Sequence, residues 1–295
     1  MAAFVVAARR ILQLLPGLAV FALLGATANA EASAVTLRAK HAELREALAA
    51  NQFRSPLHLV SSESTSGVSG EIYAVIGQPF SAAAPALEKA ATWCEILFLH
   101  QNTKFCRADG AQNPRLNVVI GKKHDQPLEE AFRVDFGFHV VARTHDYLQL
   151  SLNADKGPLS TSNYRITFEA VPLDAARTFI HFNYAYDYGL AGKLAMQVYL
   201  GTAGAGKVGF TVVSKQPDGT PEYIGGLRGV VERNTMRYYL AIESHLGALS
   251  APPQARIDRS LRDWFAATER YPRQLHELGR TEYLEMKRRE YRRQS

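Results

Sequence analysis

Apolar positions along this chain change their period several times. Over residues 34–50 they recur at three- and four-residue spacing, through Ala34, Leu37, Leu44 and Leu48 with His41 among them. That spacing predicts a helix, with Asn51 as its C-terminal cap. Pro56 stops any continuation, and the Ser- and Gly-rich stretch 61–70 reads as a loop or hairpin turn. Ile72, Ala74 and Ile76 then alternate, predicting a strand over 71–76. Beyond Pro79, residues 80–99 read as one or two Ala-rich helices, with Pro85 in a first turn.

Period two follows. Leu116, Val118 and Ile120 alternate. Phe132, Val134, Phe136, Phe138 and Val140 share one parity, and Arg133, Asp135, His139 and Arg143 the other. Leu148, Leu150 and Leu152 repeat the pattern, as do Tyr164, Ile166 and Phe168, and then Thr178, Ile180, Phe182, Tyr184 and Tyr186. One face of each segment is apolar and one polar, which predicts antiparallel strands; turn-rich separators such as 153–158 imply a meander. Helical spacing returns over 190–200. Pro217-Asp218-Gly219, flanked by 207–213 and 222–224, signals a hairpin. Residues 230–249 form the clearest helix, with Val231, Thr235, Tyr239, Ile242, Leu246 and Leu249 on one stripe. Pro252-Pro253 ends it, and two charged helices follow over 256–270 and 273–293.

Strand, helix pair, run of antiparallel strands, long amphipathic helix: this order, over residues 57–249, resembles the helix-grip fold of START and Bet v 1-like proteins. The resemblance implies an α+β fold in which a curved antiparallel sheet packs on the long C-terminal helix, with extra terminal helices outside the pattern. It also implies an apolar ligand between sheet and helix. Phe136, Phe138, Phe182, Tyr184, Tyr186, Tyr239 and Ile242 would then line the cavity; the alternative is a filled core whose tyrosine hydroxyls reach the surface. The helix at 190–200 departs from the pattern and implies a split sheet or a reshaped pocket. The expected organisation is a signal peptide over 1–30, a leading helix over 31–55, a helix-grip-like domain over 56–250 and a helical extension with a basic tail over 251–295.

The signal reading rests on Arg9-Arg10, the largely apolar stretch 11–25 and the small residues of Ala28-Asn29-Ala30, the three-part pattern of a cleavable export signal. Pro16 and Gly17 interrupt the apolar stretch, which is short for a spanning helix. Cleavage after Ala30 would place the protein in the periplasm or outside the cell. Two cysteines, Cys94 and Cys106, would form a disulfide in that oxidising setting; two buried thiols are the other reading.

The net charge of +6 loses Arg9 and Arg10 with the signal. The last ten residues hold Lys287, Arg288, Arg289, Arg292 and Arg293 against Glu290. The body is therefore nearly neutral. The tail 286–295 reads as a solvated helix end, with weak contact to anionic membranes as the functional alternative and no nucleic acid as partner.

Catalytic and metal motifs are sparse. Residues 201–207 match the start of a phosphate-binding loop, but Val208 stands where Ser or Thr must hold magnesium, and the helix precedes the loop; a glycine turn is the better reading. His139 with His145 or His181, joined by Asp135, Asp146 or Asp187, would make a metal site only if register aligned them; polar residues on the wet sheet face are the plainer expectation. Glu232, Arg233, Asn234, Arg237 and Glu243 read as a solvated helix face, with an ion-pair network or a polar pocket rim as the alternatives. No catalytic motif and no cofactor is expected. The leading function is an exported binding protein for an apolar or amphipathic small molecule, lipid included. The alternatives are an envelope interaction protein, marked by an exposed apolar patch at Trp264, Phe265 and Tyr271, and an enzyme in the same pocket, marked by His, Asp or Arg converging inside it.

Overall fold

The computed structural model describes residues 16–202 and 204–294; the arginine pair of the export signal and the first part of its apolar stretch lie outside the described residues. The chain begins with α1 (Pro16–Glu43) and α2 (Arg45–Ala49), then β1 (Leu57–Glu63), β2 (Gly67–Ile76), α3 (Phe80–Leu87) and α4 (Ala90–Phe98). Six strands follow: β3 (Thr103–Asp109), β4 (Arg115–Ile120), β5 (Phe132–Arg143), β6 (Leu148–Lys156), β7 (Thr161–Pro172) and β8 (Thr178–Tyr188). After α5 (Leu190–Gly201) come β9 (Val212–Lys215), β10 (Pro221–Tyr223), α6 (Gly226–Ala248), α7 (Pro253–Thr268), α8 (Pro272–Leu275) and α9 (Arg280–Arg292). Among the described residues no helix is long and apolar enough to cross a membrane.

The fold is α+β, a curved eight-stranded antiparallel sheet in the order β1-β2-β8-β7-β6-β5-β4-β3 with the long helix α6 against one face. Strands β4 to β8 are the expected meander, which β3 extends by one strand. The Ser- and Gly-rich stretch 61–70, expected as a loop or hairpin turn, is the turn of the β1–β2 hairpin together with the inner ends of both arms, and β2 pairs with β8. Its turn is short: the Ser64 hydroxyl accepts the Gly67 N–H at 3.0 Å. Strands β9 and β10 form a separate hairpin, so the inserted α5 does divide the strands as the departure implied.

Helix α6 packs on β1, β2 and β8, one half of the sheet. Gly70 makes that approach possible: a Cβ there would come within 2.3 Å of Thr235 Oγ1. The polar stretch on α6 is not solvated, contrary to expectation. Glu232 is fully buried. It accepts hydrogen bonds from the Ser61 hydroxyl at 2.6 Å and from the Phe210 and Thr211 N–H groups at 2.5 and 2.9 Å. A carboxylate that is matched this fully can sit in a core.

The opposite sheet face carries α1, seated by Ala30, Ala34 and Leu37 over Tyr147, Val171 and Phe179. Beside it His181 is held between two carboxylates, Nδ1 at 2.9 Å from Glu169 and Nε2 at 3.0 Å from Glu71. Tyr73 stacks on the ring at 4.3 Å, and the Tyr147 hydroxyl donates to Glu169 at 2.5 Å. Both ring nitrogens face carboxylate acceptors, an arrangement that favours the imidazolium form. His139 and His181 do not meet: they lie on β5 and β8, which two strands separate, so that pairing, one of the two considered for a metal site, is absent.

The C-terminal helices pack into the main core through Trp264, Leu275, Tyr283, Leu284 and Met286. The tail expected to be solvated is docked. Lys287 is fully buried; its ammonium donates to Glu290 at 2.8 Å and to the Thr103 carbonyl at 2.5 Å. Lys104 reaches the other oxygen of Glu290 at 2.9 Å. Arg288 pairs with Asp258 at 2.6 Å and Arg293 with Asp125 at 3.0 Å.

Two expected outcomes follow from these clusters. Glu290→Gln leaves two buried ammonium groups without their carboxylate and should cost about 3–5 kcal/mol in urea denaturation. Burial works against a charged His181, but the hydrogen bonds to Glu169 and Glu71 outweigh it and raise its pKa above the ordinary 6.5. Glu71 and Glu169 are lowered, and His181 is a principal cause for each. The histidine's contribution is complete below about 6.5 and is lost as pH rises through its folded pKa; the carboxylates' contribution is complete above about 4.5 and is lost in acid. The difference in melting temperature between the protein and His181→Gln should therefore be largest between about pH 4.5 and 6.5 and shrink above that window.

Candidate functional site

Because α6 covers β1, β2 and β8, the other half of the inner sheet face is left to smaller elements. At one end α4 fills it. The Trp93 indole donates to the Leu87 carbonyl at 2.8 Å and its ring meets Phe168 edge-on at 5.8 Å. At the other end a cavity of about 740 Å³ opens between α6 and strands β4, β5, β7 and β8. The boundary runs through each element between adjacent inward positions. Tyr184 and Tyr186 of β8 line the cavity, as does Phe136 of β5. Phe138, Phe182, Tyr239 and Ile242, expected beside them, do not; they are buried in the solid core at the α4 end. Their parity was right for the inner face, but the face is divided along the strands, not across them.

The cavity wall is aromatic. Tyr164 stacks on Tyr186 at 5.3 Å, Tyr184 meets Tyr238 at 5.4 Å, and Phe136 meets Tyr164 edge-on at 6.2 Å. The Tyr164 hydroxyl is satisfied by Thr161 at 2.6 Å. Burial, first among its causes, raises the pKa of Tyr184 well above the phenol range, so these hydroxyls stay protonated at any physiological pH. The mouth lies at the partly exposed Phe132 and Leu159 and at the loop 121–130, which contributes Lys122, Lys123 and Gln126 to the lining.

A polar wall faces the tyrosines. Arg233, Asn234 and Arg237 of α6 line the cavity, as the pocket-rim reading of that helix face had it for these three; Glu232 and Glu243 lie outside the lining. Glu277, in the turn between α8 and α9, carries three cations: Arg237 at 2.9 Å, with Lys123 and Lys207 on its other oxygen. Burial alone would raise the Glu277 carboxyl, but these cations outweigh it and hold it down to about 2. Burial in turn lowers Lys207 to about 8, against the pull of Glu277. Lys207 belongs to the glycine-rich turn; of that turn, residue 203 lies outside the described residues.

His100 and Gln101 complete the floor, and no sequence signal pointed to them. They sit in the turn between α4 and β3, where hydrophobic periodicity lapses. The Cys94–Cys106 disulfide, with Cα atoms 5.2 Å apart, ties the two elements that this turn joins. His100 is buried, and burial together with Arg237 and Lys287 pushes its pKa well below the ordinary value, opposed by Glu277 and Asn234. Its Nδ1 accepts the Asn102 N–H at 3.2 Å. Among the described residues no group of three or more His, Cys, Asp or Glu could hold a metal ion. Trp264 is buried, and Phe265 and Tyr271 pack against the core, so the apolar patch expected of an interaction protein is covered.

No protein family's profile matches the chain, and no curated protein matches it by sequence. Among solved structures it is similar to a conserved protein from Geobacillus kaustophilus, with TM-score 0.35 and 10% identity over 61% of this chain and 95% of that one. It is similar to a norcoclaurine synthase from Thalictrum flavum, with TM-score 0.33 and 11% identity over 50% of this chain and 88% of that one. An aromatase/cyclase from Streptomyces gives TM-score 0.32 and 9% identity over 70% of this chain and 94% of that one.

Glu277 is the hinge of the polar wall. Glu277→Gln should destabilise the protein by about 3 kcal/mol in urea denaturation, because Arg237 then stays buried without its carboxylate.

Proposed function

We propose that this chain is a binding protein for an apolar or amphipathic small molecule, lipids included, and that the ligand occupies the cavity between α6 and the meander. The single observation that carries this reading is the cavity itself. At about 740 Å³ it lies in the range of pockets that enclose drug-sized molecules, and its lining is mainly apolar and aromatic with a few placed polar groups. Interiors are otherwise packed to crystal density, so a space this large beside a fully filled core end points to an occupant.

Export belongs to the same proposal. It rests on residues 1–30: the Arg9-Arg10 pair, the apolar stretch and the small residues through Ala30. The Cys94–Cys106 bridge supports an oxidising compartment. Removal of the signal after Ala30 would keep Ala34 and Leu37, two of the residues that seat α1 on the outer sheet face.

A second reading, an enzyme using this cavity, is favoured by the convergence of His100, Arg237 and Glu277 on its wall. A bound molecule that leaves unchanged in mass separates binding from turnover.

Native mass spectrometry of the protein isolated from its host tests the binding reading. The expected result is added mass that is released on denaturation. In Ile166→Trp, whose indole would fill the cavity floor, that mass should be lost while the melting temperature is kept within a few degrees. A bare protein, together with failure of a panel of fatty acids, phospholipids and aromatic acids to shift the melting temperature, would remove the proposal.

A further inference from the structure

The cavity floor holds two buried donors with nothing to receive them. His100 Nδ1 accepts the Asn102 N–H, so the neutral ring carries its proton on Nε2; the Asn234 side chain lies near enough to raise the ring's pKa, but no group meets Nε2 in hydrogen-bond geometry. The side-chain amide nitrogen of Gln101 has none either. The two residues are 6% and 3% exposed, and both line the cavity.

Several other polar wall groups are matched within the protein. The Asn102 amide donates to the Gly121 carbonyl at 2.6 Å. Gln126 Oε1 accepts the Lys122 N–H at 2.6 Å. Tyr164 pairs with Thr161, and Glu277 is held by its three cations. What remains on the floor is therefore donor capacity. An unmet buried donor is costly and uncommon in folded proteins, and a ligand oxygen would relieve both at once.

Charge points the same way. The lining carries Lys122, Lys123, Arg233 and Arg237 against Glu130 and Glu277, an excess of two positive charges. Burial keeps His100 neutral, so it offers an N–H and adds no further charge. The donors are also held from behind. The turn that bears them has its Leu99, Gln101 and Thr103 carbonyls bound by Tyr283, Lys104 and Lys287, at 2.7, 3.1 and 2.5 Å. With these carbonyls tied to the C-terminal helices and to Lys104, the backbone that carries the two cavity-lining side chains is fixed.

We propose that His100 and Gln101 form a head-group subsite for a carboxylate on an apolar body, with the body lying against the tyrosine wall. This rests on the cavity being a ligand site and names the class of ligand it takes. Aliphatic and aromatic acids share the head chemistry, and they differ in the body that the tyrosines receive.

Isothermal titration calorimetry on the full protein, freed of co-purified ligand, tests this with matched pairs: dodecanoic acid against methyl dodecanoate, and 2-naphthoic acid against methyl 2-naphthoate. The acid of at least one pair should bind about tenfold or more tightly than its ester. Gln101→Met keeps the shape and removes the donor. It should abolish that preference, leave ester binding within about threefold and hold or raise the melting temperature of the unliganded protein. His100→Phe is the second variant, with the same expectation for the preference. Equal binding of acid and ester, or a preference that survives both variants, overturns the subsite and leaves the cavity reading standing. Failure of all four probes to bind overturns both.

Discussion

Two ammonium groups share one carboxylate in the interior of this protein, and the geometry of the site depends on that arrangement. Lys104 and Lys287 each take one oxygen of Glu290, and all three side chains are 1% exposed or less. Burying charge is expensive unless each ion is paired and its remaining hydrogen-bonding capacity is used. Here the spare donors go to backbone: Lys104 to the Gln101 carbonyl and Lys287 to the Thr103 carbonyl. Both carbonyls belong to the segment that leads from α4 into β3. Lys287 also sits over the Phe98 ring at 3.7 Å, a cation–π contact in a desolvated setting. Burial lowers its pKa to about 8, against the opposing pull of Glu290, so the ion pair works at neutral pH.

The C-terminal helices therefore act as part of the pocket, though none but the turn at Glu277 touches the cavity. From behind, α9 fixes the turn that carries His100 and Gln101. From the side, Arg289 and Arg293 hold Asp125, and Asp125 lies in the loop that supplies Lys122, Lys123 and Gln126 to the lining. Exposed pairs of that kind contribute little each, about 0–1 kcal/mol, but their effect here is positional. Glu277 adds the third tie, joining the loop through Lys123 and the long helix through Arg237. The disulfide supports the same turn from its other side by linking α4 to β3.

Much of the architecture was legible because it rests on periodicity. The strands from β4 to β7 bury mainly one face, which writes itself into the sequence as period two, and the long helix, though buried on nearly all sides, still carries an apolar stripe of period 3.6. Strand β3 left no such trace, since Thr103 and Lys104 are both buried and break the alternation. The docked tail was illegible for a related reason. Lys287 and Glu290 look solvated in sequence, and only a partner far along the chain, Lys104, lets them be buried. The cavity was half legible. Parity assigned Phe136, Phe138, Phe182 and Tyr184 to one face, but parity cannot say where along a strand the facing helix stops making contact.

That division along the strands is made by α6 itself. Its later turns present Tyr239, Ile242 and Leu246 to the sheet, and these close the core. Its earlier turns present Arg233, Asn234 and Arg237, which are too polar to close against aromatic strands without leaving charge unmatched. A helix that carries an apolar face and a polar face side by side cannot close on the whole sheet face uniformly. Val231 and Thr235 pack closely on β2, while the polar face beside them engages Glu277 and looks across the cavity at the tyrosines. The open space thus follows from where charge sits on one helix, and the same charge determines which molecules suit the space it leaves.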